Sequence, residues 1–382
     1  MSAERLYYGN SFLSQFTAAV TGCAETKKGF EVTLSATAFY PEGGGQPCDL
    51  GILGDTKVLD VRDRDGEVIH LCEKPLPVGA NVSGSIDWPR RFDFMQQHSG
   101  EHIVSGLIHK KYGYHNVGFH LGNDVVTIDF DGPLTLEDLL QIEREVNAYI
   151  WQDVSVRCWY PSQEELPKVP YRRKKDLPWP VRIVEFPDAD LCACCGTQVQ
   201  RTGQIGLVKI LSCVKFHQGV RVEMLAGSRA MAHLGLVYEQ NRQVSQVFSA
   251  KIPETGTAAQ KFSQQLAAEK FRAASLQKQL FQYIAAGYVG QKLALRFQPE
   301  LTPAGVRELA DAMGQVAEIA VVFSGSDDTA YSLCILSAKT DVRPLGKDAA
   351  AALQGRGGGK SDAFQGSFRA TREEIEGYFK NL

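Results

Sequence analysis

Residues 91–109, Arg91-Phe92-Asp93-Phe94-Met95-Gln96-Gln97-His98-Ser99-Gly100-Glu101-His102-Ile103-Val104-Ser105-Gly106-Leu107-Ile108-His109, mark a change of period in the chain. Phe92, Met95, Ile103 and Leu107 fall on one helical stripe, and Phe94, His98, His102, Ser105 and His109 on its neighbour. Helical residues four apart sit on one face, one turn apart, so His98 and His102 can grip one ion. Upstream the pattern is strand-like. Phe30 to Leu34 alternates apolar and polar, and Thr56 to Arg62 and Glu67 to Leu71 flank Asp63-Arg64-Asp65-Gly66, a hairpin-turn sequence. Downstream, Gly118 to Asp131 returns to strand patterning through Val125, Val126, Ile128 and Phe130. Pro133-Leu134-Thr135 with Glu137 and Asp138 then starts a helix that should run to about Trp151, its acids near the positive end of the helix dipole.

Further along, strands are expected at Val181 to Glu185, Leu207 to Val214 and Val220 to Leu225. From about Arg229 to Ile284 the chain reads as helix. Phe262, Leu266, Ala273, Leu276, Leu280 and Ile284 make one face, and Pro253 and Gly256 are the expected break. The last ninety residues read as a small α/β domain. Ile319 to Phe323 and Tyr331 to Ser337 are strand-like, Gly355 to Lys360 is a glycine-rich loop, and a capping box at Thr371 starts a final helix.

The 382 residues are 44% hydrophobic and 22% charged, as in an ordinary globular chain with a sizeable core. The length suggests more than one domain. With 41 Lys+Arg against 44 Asp+Glu the net charge is −3, so any nucleic-acid contact must come from local patches such as Arg172-Arg173-Lys174-Lys175. No run of eighteen apolar residues is present and the N-terminus reads without a secretory signal, so a cytoplasmic protein with no membrane partner is expected.

Three of the nine cysteines, Cys192, Cys194 and Cys195, crowd together. In a chain without an export signal this points to a metal or reactive site rather than a disulfide framework. Two histidines and a thiolate form a familiar zinc environment. The fourth position is open to three arrangements: Cys192 or Cys195 completes the set, water does, or the site binds weakly. Gln198, four residues after Cys194, offers an amide oxygen, a poor ligand for a borderline-soft ion. In Tyr40-Pro41-Glu42-Gly43-Gly44-Gly45-Gln46-Pro47, three glycines disfavour helix and strand and let backbone amides approach a ligand. Glu101, between the histidines, points about 100° away from His102 on the helical wheel and reads as solvated.

Taken together, Tyr40–Pro47, the His98-x3-His102 helix, Cys194-Cys195-Gly196-Thr197-Gln198-Val199 and Thr202-Gly203-Gln204-Ile205-Gly206 resemble, in order and spacing, the motifs of alanyl-tRNA editing domains. The chain is similar over nearly its whole length to the long form of the AlaX trans-editing proteins, and Gly355 to Gly366 resembles the glycine-rich motif of the alanyl-tRNA synthetase C-terminal domain. The resemblance implies an α+β protein in four parts: a β-barrel-like domain (1–90), a two-layer editing core (91–230), a helical connector (231–290) and a glycine-rich tRNA-binding or dimerisation domain (291–382). It implies an aminoacyl-tRNA deacylase that strips serine, or glycine, from alanine tRNA. Its partner would be alanine-specific tRNA, with homodimerisation through the C-terminal region. Zinc would be held by His98, His102, Cys194 and the residue at 198, where Gln198 departs from the family's histidine. Thr37 is the candidate reader of the serine hydroxyl, and the backbone at Gly45 and Gln46 the candidate donor to the ester. Gly357, Gly358 and Gly359 join Arg172 to Lys175 as candidate tRNA contacts. Two other readings compete: a tRNA-binding protein with a degenerate metal site, motivated by Gln198, and a DHH-type phosphoesterase, supported only by the C-terminal glycines.

Overall fold

A computed structural model describes residues 3–173 and 179–380 of the chain. Its class is mixed α+β, and the chain divides into two compact units, Met1–Arg242 and Gln243–Leu382.

The first unit begins with a closed six-stranded barrel. Its strands follow one another around the wall as Gln15–Thr26, Gly29–Leu34, Glu67–Cys72, Thr56–Arg64, Gly51–Leu53 and Asn81–Ile86. Every neighbouring pair is antiparallel. Period-two patterning closes it: in Asn81–Ile86 each second residue is buried, so one face lines the core and the other meets solvent. Val32, Leu34, Phe39, Leu53, Val61 and Val68 fill the interior. The Asp63–Gly66 turn forms as its sequence predicts, with φ of 54° at Asp65 and 87° at Gly66 giving the backbone twist that a two-residue hairpin needs.

Helix Trp88–Tyr112 follows directly. Asp87 caps it by accepting from the Arg90 amide, Pro89 sits in its first turn, and Gly113 ends it at φ 75°. The helix packs on a four-stranded antiparallel sheet ordered Val208–Phe216, Gly219–Ala226, Val126–Phe130 and Asn116–Leu121. A second helix, Leu136–Ile150, covers the same core through Leu139, Ile142 and Val146, and starts in a Thr135/Asp138 capping box. A small sheet of Arg157–Trp159, Ile183–Phe186 and Asp190–Ala193 stands beside it. The strand Asp190–Ala193, at the cysteine cluster, escapes sequence reading because four residues cannot display a period.

One buried ion pair joins barrel to helix. Arg91 and Asp49 are both fully buried, and the Arg91 Nε donates to both Asp49 oxygens at 2.9 and 3.0 Å. Arg91 also donates to the carbonyls of Ser11 and Ala38, and Asp49 accepts from the Tyr40 amide.

In the second unit, helix Thr255–Ala286 precedes a five-stranded sheet ordered Leu293–Phe297, Ile319–Ser324, Tyr331–Leu336, Ala363–Phe368 and Arg356–Gly359. Alternation separates its faces. Ala320 and Val322 pack with Val306, Leu309 and Phe281, while Val321 and Phe323 pack with Ala349, Ile375 and Phe379. Two sequence expectations change here. Arg356–Gly359 is not a loop but an edge strand paired with Ala363–Phe368, because bare glycines let the Phe364 ring lie against the backbone: a Cβ at Gly357 would come within 2.7 Å of it. The helical run breaks around Pro253 alone, since Gly256 lies inside Thr255–Ala286. Among the described residues no helix is long and apolar enough to cross a membrane.

Two stability predictions follow from the barrel. Asp49→Ala leaves the Arg91 charge buried and unpaired, and should lower the unfolding free energy in urea by about 3–5 kcal/mol; a change under about 1 kcal/mol would show the pair to be dispensable. His70, inside the barrel, is lowered by burial to about 4. The unfolded chain takes up a proton near pH 6.5 that the native state refuses until about 4, so this group costs stability progressively as pH falls through that window, up to about 3 kcal/mol. Urea midpoints of His70→Gln should be correspondingly less sensitive to pH between 7 and 4.5 than those of the unmodified chain.

Candidate metal centre

Helix Trp88–Tyr112 presents His98 and His102 on one face, their rings stacked 5.2 Å apart. The loop after strand Asp190–Ala193 brings Cys194 to them, and potential ligand atoms of all three lie within 4.8 Å of one another. The Cys194 sulfur is 3.4 Å from His98 Nε2.

Outer partners fix both rings. His98 Nδ1 meets Gln46 Oε1 at 2.9 Å, and Gln46 is locked by Thr197, to whose hydroxyl it donates at 2.9 Å. His102 Nδ1 meets Asp190 Oδ2 at 2.8 Å, and Arg172 grips Asp190 with two bonds of 2.6 and 2.9 Å. A histidine whose Nδ1–H is held by an acceptor offers Nε2 as its lone pair. His102 Nε2 is buried and has no hydrogen-bond partner among the described residues. Burying an imidazole nitrogen unpaired is costly whether or not it carries a proton, and a metal ion that displaced the proton would satisfy it. The three donors therefore fit a thiolate- and imidazole-binding divalent metal.

The electrostatics agree. Burial alone would raise the Cys194 thiol, but the facing His98 and His102 outweigh it and hold the group well below its ordinary value. His102 is pulled the other way: burial lowers it, and Cys194 with Asp190 raise it well above its usual range. Cys194 is thus poised as a thiolate, the form that ligates, and metal binding would release the His102 proton.

The other sulfur candidates differ. The Cys192 thiol is pushed up to about 12 by burial, and Cys195 receives the Tyr40 hydroxyl at 3.7 Å. Gln198 lies beside Cys194, but its Oε1 accepts from Ser99 Oγ at 2.7 Å and its Nε2 faces the Cys194 sulfur at 3.7 Å. In this arrangement Gln198 supports the thiolate rather than presenting an oxygen.

The glycine motif folds over this cluster. Gly43 and Gln46 exchange two 3.0 Å backbone bonds around Gly44 and Gly45, whose φ of 59° and 83° make a two-residue turn open to glycine. Gly196 serves a different need. A Cβ there would lie 2.2 Å from His98 Cε1, so only glycine lets the cysteine loop close against the ring. A cavity of about 430 Å³ opens on the turn, with Arg62, Asp63 and His120 among its walls.

Residues 181–223, which hold Cys194 and Gln198, match the family described as the threonyl and alanyl tRNA synthetase second additional domain. The alanyl-tRNA editing protein Aarsd1-A of Xenopus laevis is 29% identical over 93% of this chain and 89% of its own length. The alanyl-tRNA editing protein AlaX-L of Pyrococcus horikoshii is 27% identical over 97% of this chain and 96% of its own. The chain is thus similar over nearly its whole length to proteins named alanyl-tRNA editing proteins. It also matches the alanine–tRNA ligase of Thermofilum pendens at 31% identity over 96% of its length, but spans only 42% of that enzyme.

The remaining sequence candidates fall elsewhere. Thr37 is buried, its hydroxyl 2.8 Å from His70 Nε2 and accepting the Phe39 amide at 3.1 Å. Arg172 turns inward to Asp190, and Arg173 is exposed. Lys174 and Lys175 lie outside the described residues. Gly357, Gly358 and Gly359 form the exposed edge strand of the second unit. Glu101 corrects an expectation: it is buried, not solvated, and accepts from Ser105 Oγ at 2.6 Å and from Asn116. The helix is covered on all sides over residues 94–106, so position on the wheel does not decide exposure there. Sequence reading missed Asp190, Thr197, Ser99 and Arg182, which donates to the Cys194 and Gly196 carbonyls at 3.0 and 2.9 Å. Only Thr197, inside the cysteine motif, carried any local signal.

Asp190→Asn should weaken divalent metal binding about 10–100-fold in competition against a chromophoric chelator, since the carboxylate orients the His102 lone pair. An unchanged affinity would remove His102 from the ligand set or Asp190 from its support.

Proposed function

We propose that this chain is an aminoacyl-tRNA deacylase that hydrolyses the ester of mischarged alanine tRNA, serine first and glycine second. The observation that carries the reading is the convergence of His98, His102, whose Nε2 has no partner among the described residues, and Cys194 beneath the Gly44–Gly45 turn. The similarity to proteins named alanyl-tRNA editing proteins supports the substrate class. In this reading the metal is zinc, held by His98, His102 and Cys194, with Gln198 at the fourth family position. When bound, zinc polarises a carbonyl oxygen or lowers the pKa of a water.

The protein's own groups do the remaining work. Gln46 and Asp190 hold the two imidazoles in the ligating tautomer. The Gln46 amide is engaged with the Gly43 carbonyl, which leaves the Gly44 and Gly45 amides to donate to the ester oxygen as negative charge develops. Thr37 is the proposed reader of the serine hydroxyl, which would take the place of His70 or the Phe39 amide in its hydrogen bonds.

The functional division follows the four parts: barrel (1–90) and core (91–230) for chemistry, connector (231–290), and a C-terminal domain (291–382) for tRNA or self-association. Arg173, Lys174 and Lys175 are the proposed phosphate contacts, with Arg173 exposed and Arg172 turned inward to Asp190. The Gly357–Gly359 edge offers exposed backbone to tRNA or to a second copy in a homodimer. A cytoplasmic location matches such a substrate.

Incubation with seryl-, glycyl- and alanyl-tRNA of the alanine isoacceptor should release serine fastest and spare alanine. Thr37→Val should slow serine release about tenfold or more. Zinc should be present at one per chain, vanish in Cys194→Ala and bind more tightly in Gln198→His. No hydrolysis of any ester, with zinc supplied, would refute the reading and leave a tRNA-binding protein.

A further inference from the structure

We infer that Tyr160, backed by Tyr8 and Arg182, is the platform on which the terminal nucleobase of the acylated tRNA stacks; the inference rests on the deacylase reading above. A single exposed tyrosine needs no explanation. Tyr160 differs because of what stands behind it. It keeps 47% of its surface exposed, and its ring packs edge-on against Tyr8, with centroids 6.2 Å apart and planes at 76°. The Tyr8 ring in turn carries the Arg182 guanidinium 5.2 Å from its centroid. The same guanidinium holds the carbonyls of Cys194 and Gly196, the residues on either side of Cys195. An exposed aromatic face is thus coupled, through two side chains, to the loop that supplies the metal-ligating sulfur.

Substrate chemistry makes this placement meaningful. The scissile ester sits on the terminal ribose, and the base is attached to that same ribose. A surface that binds the base must therefore lie within one nucleotide of the reacting carbon. Aromatic rings with an adjacent guanidinium are the usual partners of an unpaired base, which they hold by stacking and cation–π attraction rather than by reading its edge. Tyr40 ties the other side of the loop, donating to the Gly43 carbonyl at 3.0 Å and facing the Cys195 sulfur at 3.7 Å. The turn proposed to receive the ester and the proposed base platform are thereby anchored to one cysteine pair.

The test uses the full-length zinc-loaded protein and two probes. The first is adenosine carrying serine through a 3′-amide, which cannot be hydrolysed as an ester; its binding is read by calorimetry. The second is seryl-tRNA, read by deacylation kinetics. Tyr160→Ala should weaken the amide analogue about tenfold and raise KM for seryl-tRNA by a similar factor with kcat unchanged. Tyr160→Phe, which keeps the ring, should restore both. Equal affinity of the unmodified protein and Tyr160→Ala for the analogue overturns the platform, as does failure of the unmodified protein to bind it. Tyr160-dependent binding without any hydrolysis of seryl-tRNA would instead overturn the deacylase reading and leave the platform standing.

Discussion

The buried Arg91–Asp49 pair is the constraint on which the first unit depends. Both groups are fully removed from water, so neither can exist without the other. The pair is built from the first turn of the long helix and the stretch just after the glycine turn. It therefore fixes the helix that carries His98 and His102 relative to Tyr40 and the barrel, through the Ala38 carbonyl and the Tyr40 amide. A hydrophobic contact of similar size would tolerate sliding; a planar guanidinium with five donors, held by the Asp49 carboxylate and two backbone carbonyls, does not.

From that anchor the site is assembled by close approach. Gly196 gives the cysteine loop room against the His98 ring, and Gly45 packs against Phe119, where a Cβ would lie 2.5 Å away. Gln46 then spans the gap from turn to histidine, so the turn and the ligand cluster cannot move independently. On the far side Arg172 and Asp190 do the same for His102. Each histidine is thus aimed by a partner remote in sequence, a cost in ordered polar groups that only a site needing fixed geometry justifies.

Gln198 shows how this support changes the meaning of a substitution. By residue type alone it is a weak oxygen ligand. In place, its oxygen is taken by Ser99 and its amide nitrogen faces the thiolate, a hydrogen-bonding role that neutral histidine would fill differently.

Local pattern was sufficient wherever one element carried the signal. The barrel strands showed their alternation, the long helix its three-to-four spacing, the Asp65-Gly66 turn its sequence, and the His98/His102 pair its one-turn separation. Four motifs in order pointed to the family. What local pattern cannot report is which distant groups meet. The burial of Glu101, the inward turn of Arg172, the His70 partner of Thr37 and the glycine strand Arg356–Gly359 all depend on neighbours in other elements of the fold. Periodicity records which face of an element is apolar. It says nothing of what the polar exceptions on that face will bond to, and in this protein those exceptions, Asp190, Gln46 and Thr197, orient the ligands. The sequence by itself determined the elements, the candidate ligands and the kind of chemistry; only the tertiary structure decided how the ligands are held, because hydrogen bonds between buried groups are chosen by packing and not by spacing along the chain.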